Sequence, residues 1–97
     1  MEPVPLHQNH GPLRVLVIED DPALGRLIQL VLGQHTPDVT VVRSGSSAIS
    51  AIVSGTFDAI ASDISLPDMS GLDVIAKARE LSPTSGIVAI TGFVDVD

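Results

Sequence analysis

From Leu13 to Ile90 the chain repeats one pattern: a short apolar run, a polar stop, then apolar residues at helical spacing. The first run, Leu13 to Ile18 (LRVLVI), suits a buried parallel strand. Asp21-Pro22 follows it. Asp is a favoured N-cap and Pro a favoured first helical residue, so a helix is predicted to start there. Leu24, Leu27, Ile28, Val31 and Leu32 then recur at i, i+3, i+4, i+7 and i+8, one apolar helix face. Gly33 and Pro37 punctuate its end.

The pattern continues. Thr40 to Val42 is β-branched throughout and predicts a second strand. Ser44 caps a second helix with an apolar face of Ala48, Ile49, Ile52 and Val53, and Gly55 stands where a C-terminal cap belongs. Ala59 to Ser62 is a third strand, ending at Asp63. Leu66 to Gly71 (LPDMSG) is rich in turn residues. Ser70 with Asp73 three residues on resembles a capping box before a third helix carrying Val74, Ile75, Ala78 and Leu81. Ser82-Pro83 closes it, and Ile87 to Ile90 is a fourth strand that Thr91-Gly92 leaves.

Strand-helix alternation with short links predicts βαβ units: a parallel sheet, right-handed crossovers and helices on both faces. Only Phe57 and Phe93 are aromatic, so the core is aliphatic and there is no platform for stacking nucleic-acid bases. Twelve acidic against five basic residues give a net charge of −7, which opposes sequence-independent binding to DNA phosphates or anionic lipid. No Cys means no disulfide, no thiolate metal site and no Cys nucleophile, and fits a reducing, cytoplasmic setting. No apolar stretch is long enough to span a membrane. Residues 1–12 (MEPVPLHQNHGP) lack the basic and apolar regions of a secretory signal and are expected to be a flexible leader before one domain at 13–97. His7 and His10 within the leader have HxxH spacing, a weak metal signal in such a segment.

Ligands of open parallel sheets bind beyond the carboxyl ends of the strands. The residues there are Glu19, Asp20 and Asp21, then Arg43 and Ser44, then Asp63, then Thr91. If strands one and three are neighbours, they lie roughly 4.8 Å apart, and three carboxylates converge. Like charges at that range raise pKa values and cost stability unless something neutralises them. A hard divalent cation does so. Mg²⁺ favours oxygen ligands and keeps positions open for water and phosphate. Thr91 offers a hydroxyl donor to an anion beside such a metal. A carboxylate, a metal and a hydroxyl donor are the parts needed for phosphoryl transfer onto an Asp. Asp21 is assigned mainly to helix capping, and Asp58, Asp68 and Asp73 to solvated, turn or capping roles.

VLVIEDDP, DAIASDISLPDMSGLDVI and IVAITG together resemble the response-regulator receiver domain of two-component signalling, over Leu13 to about Phe93. The resemblance implies a flavodoxin-like doubly wound α/β fold with strand order 2-1-3-4 in this chain. It implies Asp63 as phospho-acceptor, and Mg²⁺ or Mn²⁺ held by Glu19, Asp20, Asp63 and the backbone carbonyl of Ser65. Thr91 matches the switch hydroxyl, while Pro67 and Gly71 match structural positions of the loop after the acceptor. The expected donor is a sensor histidine kinase or a phosphotransfer protein, and the domain is a switch rather than an enzyme that releases a product.

The family pattern continues with a fourth helix, a fifth strand ending in Lys, and a fifth helix, none of which matches a residue of this chain. The alternative reading is therefore a receiver-like interaction module that does not signal by phosphate. A homodimer through strand four and the Thr91 to Asp97 tail is expected, since IVAI carries no Lys or Pro to blunt a sheet edge. A phosphatase resembling haloacid dehalogenases is disfavoured, because neither Glu19-Asp20-Asp21 nor Asp63-Ile64-Ser65 is DxD.

Overall fold

The computed structural model describes residues 12–90. The HxxH pair His7 and His10, the switch hydroxyl Thr91 and the tail's part in self-association lie outside the described residues. Seven elements alternate: β1 (Arg14–Ile18), α1 (Pro22–Leu32), β2 (Asp38–Val42), α2 (Gly45–Ser54), β3 (Ala59–Asp63), α3 (Gly71–Leu81) and β4 (Gly86–Ile90).

Each helix starts at the hydroxyl or carboxylate that the sequence offers. Asp21 is extended, and its Oδ1 accepts from the Ala23 N–H at 3.0 Å, with Pro22 opening α1. The Ser44 hydroxyl accepts from the Ser47 N–H at 3.2 Å. The Ser70 hydroxyl accepts from the Leu72 N–H at 3.1 Å. Here the capping-box expectation is corrected. The Asp73 N–H goes to the Ser70 carbonyl oxygen at 3.0 Å, so the hydroxyl serves the residue before Asp73 and the pair does not reciprocate.

The strands form one parallel sheet in the order β2-β1-β3-β4. β2 begins two residues before the predicted Thr40 to Val42 strand. Asp38 and Val39 pair with Arg14 and Val15, and the Arg14 guanidinium meets the Asp38 carboxylate at 2.9 Å. β4 likewise starts at Gly86, which pairs with Ala59. Both extensions come from cross-strand pairing, which local composition does not report.

The core lies on one side of the sheet. Leu16, Ile18 and Ile60 from the strands, Ala48 and Ile52 from α2, and Val74 and Ala78 from α3 form one buried cluster. α1 covers part of the opposite side. A Cβ on Gly25 would stand 3.3 Å from Val41 Cγ1, so the glycine lets the helix lie close against β2. That contact sets the helix's rotation. Of the predicted apolar face, Ile28 and Leu32 are half-buried, whereas Leu24, Leu27 and Val31 are exposed.

Candidate functional site

β1 and β3 are neighbours in register, with Val17 opposite Ala61 and Ile18 opposite Ser62. The residues that end them therefore meet at one edge of the sheet. Oxygen atoms of Glu19, Asp20 and Asp63 all lie within 4.8 Å of one another. Glu19 is 3% exposed. Its backbone N–H donates to the Val42 carbonyl at 2.9 Å, and its Oε2 accepts from the Asp21 N–H at 3.1 Å. Burial pushes the Glu19 carboxyl above its ordinary range, and the charges of Asp63 and Asp20 push the same way against the Asp21 N–H. Asp20 and Asp63 are half-buried, so water or a ligand can reach them.

The loop after β3 holds Asp63 in place. The exposed Ser65 donates its N–H to Asp63 Oδ1 at 3.1 Å. Ser65 and Ser70 form an antiparallel bridge, and the Gly71 N–H donates to the Ile64 carbonyl at 2.7 Å. A methyl on Gly71 would overlap the Asp63 carbonyl oxygen and reach Ile64 Cα at 2.7 Å. Only glycine lets α3 begin this close to the end of β3. Pro67 is exposed within the same loop.

Sequence reasoning undervalued Asp68. Its Oδ1 accepts from the Gly45 N–H at 2.8 Å and its Oδ2 from the Ser46 N–H at 3.0 Å. It is a capping acid, but for a helix lying 22 and 23 residues earlier. One indirect signal was present: the first turn of α2 has no acid of its own. Arg43, also at a strand end, faces elsewhere. With Arg26 and Gly25 it lines an open cleft of about 330 Å³ between α1 and β2 that shares Glu19 as a wall.

The donor set suits a hard cation. It is all oxygen and clustered, and the charges of Asp63 and Asp20, which add to burial in raising the Glu19 carboxyl, are ones a divalent ion would offset. Among the described residues, Glu19, Asp20 and Asp63 form a group able to hold one. Among the described residues no helix is long and apolar enough to cross a membrane.

Comparison with known proteins agrees with this architecture. The sequence model described as response regulator receiver domain matches residues 15–97. The probable transcriptional regulatory protein TcrX of Mycobacterium tuberculosis is 38% identical over 80 residues, covering 82% of this chain and 34% of TcrX. The chain spans about a third of the length of the curated relatives it matches. A CheY-like receiver domain from Methylobacillus flagellatus superposes with a TM-score of 0.80 at 32% identity, covering 86% of this chain and 72% of that one. A response regulator from Burkholderia pseudomallei, whose structure has a phosphorylated aspartic acid, a calcium ion and citrate, gives a TM-score of 0.79 at 25% identity, covering 87% of this chain and 49% of that one. The order β2-β1-β3-β4 is the flavodoxin-like arrangement of these neighbours. Family match, close relatives and topology converge, and the chain belongs to the response regulator receiver domain family.

Proposed function

We propose that Asp63 accepts a phosphoryl group from a sensor histidine kinase or a phosphotransfer protein, and that the domain acts as a switch. The observation that carries this reading is the convergence of Glu19, Asp20 and Asp63 within 4.8 Å at the carboxyl edge of the parallel sheet. The Burkholderia pseudomallei regulator, whose structure has a phosphorylated aspartic acid and a calcium ion, supports it by similarity. An Asp63 carboxylate oxygen forms the new P–O bond as the P–N bond to the donor imidazole breaks. The imidazole leaves with the electron pair and takes a proton from solvent. The Ser65 N–H keeps Oδ1 oriented. Glu19 and Asp20, with Asp63 and the Ser65 carbonyl, would hold Mg²⁺ or Mn²⁺. The bound ion supplies positive charge against the carboxylates and the phosphoryl oxygens. Thr91 donates its hydroxyl to the phosphoryl group in this reading. The transcriptional role named for TcrX would reside outside this acidic domain, which does not itself bind nucleic acid, and the setting is cytoplasmic.

The test is incubation with acetyl phosphate and Mg²⁺ followed by intact-mass measurement. Wild type gains one phosphoryl group and Asp63→Asn gains none, since an amide oxygen is not a usable nucleophile here. Label on Asp63→Asn would move the acceptor to Asp20 or Asp21.

A second reading, an interaction module that pairs with a second copy, is favoured by β4. Among the described residues it is one of the two outer strands of the sheet, with Val88 and Ala89 exposed and no Lys or Pro along it. Two-fold pairing along this edge predicts a dimer by light scattering at micromolar concentration, abolished by Val88→Lys. A monomer under those conditions removes this reading.

A further inference from the structure

We propose that Asp68 is a positioning residue for phosphoryl transfer: it fastens the loop after β3 to the start of α2, and so keeps Ser65 against the acceptor. The inference rests on reading Asp63 as that acceptor. The first turn of α2 leaves three N–H groups without helical partners, those of Gly45, Ser46 and Ser47. The Ser44 hydroxyl takes the third at 3.2 Å. The first two reach across to the two oxygens of Asp68, at 2.8 and 3.0 Å. Hydrogen bonds to an ionised carboxylate are the stronger kind, and these two hold the Asp68 carboxyl below its ordinary range, Gly45 contributing most.

The close approach is built in. A Cβ on Gly45 would overlap Met69 Cγ and stand 3.2 Å from Asp68 Oδ1. Glycine is therefore what admits the loop, and Met69 beside it packs against the core cluster of Leu16, Ile52 and Val74. Three residues before Asp68 stands Ser65, whose N–H contacts Asp63 Oδ1 at 3.1 Å. The far end of the loop is tied by the Gly71 N–H to the Ile64 carbonyl. Between these ties, the Asp68 bonds are the hydrogen bonds that anchor residues 66–69 to another element among the described residues. Releasing them frees residues 66–69, the turn that joins Ser65 to its bridge partner Ser70, and so loosens the bridge that holds the Ser65 carbonyl and N–H beside Asp63. Displacement on the scale of 1 Å at a reacting centre is enough to slow chemistry substantially.

A purely structural cap would act through stability alone, so the test separates the two roles. Wild type, Asp68→Ala, Asp68→Asn, Gly45→Ala and Ser44→Ala are compared in three measurements: melting temperature, initial rate of labelling by acetyl phosphate at saturating Mg²⁺, and the Ser65 amide signal by NMR. Asp68→Ala is expected to slow labelling about tenfold and to shift the Ser65 amide and speed its hydrogen exchange. Asp68→Asn keeps one carbonyl oxygen and recovers part of the rate. Gly45→Ala, with Asp68 intact, moves the Ser65 amide as Asp68→Ala does. Ser44→Ala weakens the same helix end and lowers the melting temperature, but leaves labelling and Ser65 at wild-type values. The proposal fails if Asp68→Ala labels at the wild-type rate with Ser65 unmoved, or if Ser44→Ala reproduces its effects. If wild type itself takes no label, the acceptor reading falls, Asp68 loses its role in transfer with it, and the Ser65 amide alone decides whether Asp68 positions the loop.

Discussion

The two faces of the sheet are both aliphatic in sequence and unequally covered in space. On the α2 and α3 side, Leu16, Ile18, Ile60, Val74 and Ala78 are buried together. On the α1 side, Val17 is buried, yet Leu27 is 55% exposed, Leu30 64%, and Val88 of β4 58%. Gly25 is the one residue of α1 that is buried. Amphipathic spacing states which residues of a helix favour burial, whereas the neighbouring elements decide which of them obtain it. The acidic site belongs to the thinly covered side. Ala59, Ala61 and Asp63 share a face of β3, and the first two pair with Val15 and Val17. Asp63 is thus rooted in a strand whose other face is tightly packed, and opens on the side where there is room for a ligand.

The comparison breaks most visibly in the core. Leu16→Ala and Ile60→Ala should each cost about 2–5 kcal/mol in urea unfolding, from lost burial plus the cavity left behind. Leu27→Ala and Leu30→Ala, on the open face, should stay within about 0.5 kcal/mol. Equal costs on the two faces would mean that α1 is covered in solution and that the contrast belongs to the isolated domain.

Next in size is the metal. At Mg²⁺ of ~100 times Kd the domain should gain about 2.7 kcal/mol, and Asp20→Asn should lose most of that gain. Amide shifts should move around Glu19 and Asp63 and stay still around Val74 and Ala78. A melting temperature unmoved by millimolar Mg²⁺ would remove the ion from this edge.

Gly71→Ala should cost about 1–3 kcal/mol, because a methyl there must displace the Asp63 and Ile64 backbone. It should also reduce labelling at Asp63, joining the two faces through the loop between them. Unchanged stability would show that the start of α3 can shift without cost.

The smallest effect is on pH dependence. The Glu19 carboxyl is raised from 4.5, chiefly by burial, so the folded state holds its proton more tightly than the unfolded chain. Stability should therefore fall as pH rises from that value through the folded pKa, and Glu19→Gln should flatten this slope. Asp68 acts in the opposite sense. Its carboxyl is lowered from 3.8, so its contribution is present above that value and is lost as pH falls through the folded pKa. Urea midpoints measured across acidic to neutral pH for Glu19→Gln and Asp68→Asn separate the signs.

Much of the site is legible along the chain. Glu19, Asp20 and Asp63 stand at strand ends, and the topology of a parallel sheet carries such residues to a common edge. Gly71 was readable as a loop glycine, but its reason was not: the atom that excludes a side chain is the Asp63 carbonyl oxygen, which only the folded loop brings near. Asp68 was readable as a capping acid without its helix, because the bond spans more than twenty residues and no local spacing encodes it. The capping box at Ser70 failed for the converse reason. The right residue types were present, but the hydroxyl turned to Leu72.

By itself the sequence determined the alternation of strands and helices, the helix starts at Asp21, Ser44 and Ser70, and the acids at the strand ends. These depend on periodicity and capping within about four residues, where chain connectivity limits the alternatives. The order β2-β1-β3-β4 and the meeting of Glu19 with Asp63 were implied by the family resemblance and the parallel topology, whereas tertiary structure alone decided how α1 is covered beside its Gly25 contact and the fastening of Asp68 to α2. Each joins residues distant in sequence, and such contacts form only when the packing that closes the intervening chain outweighs the entropy of closing it.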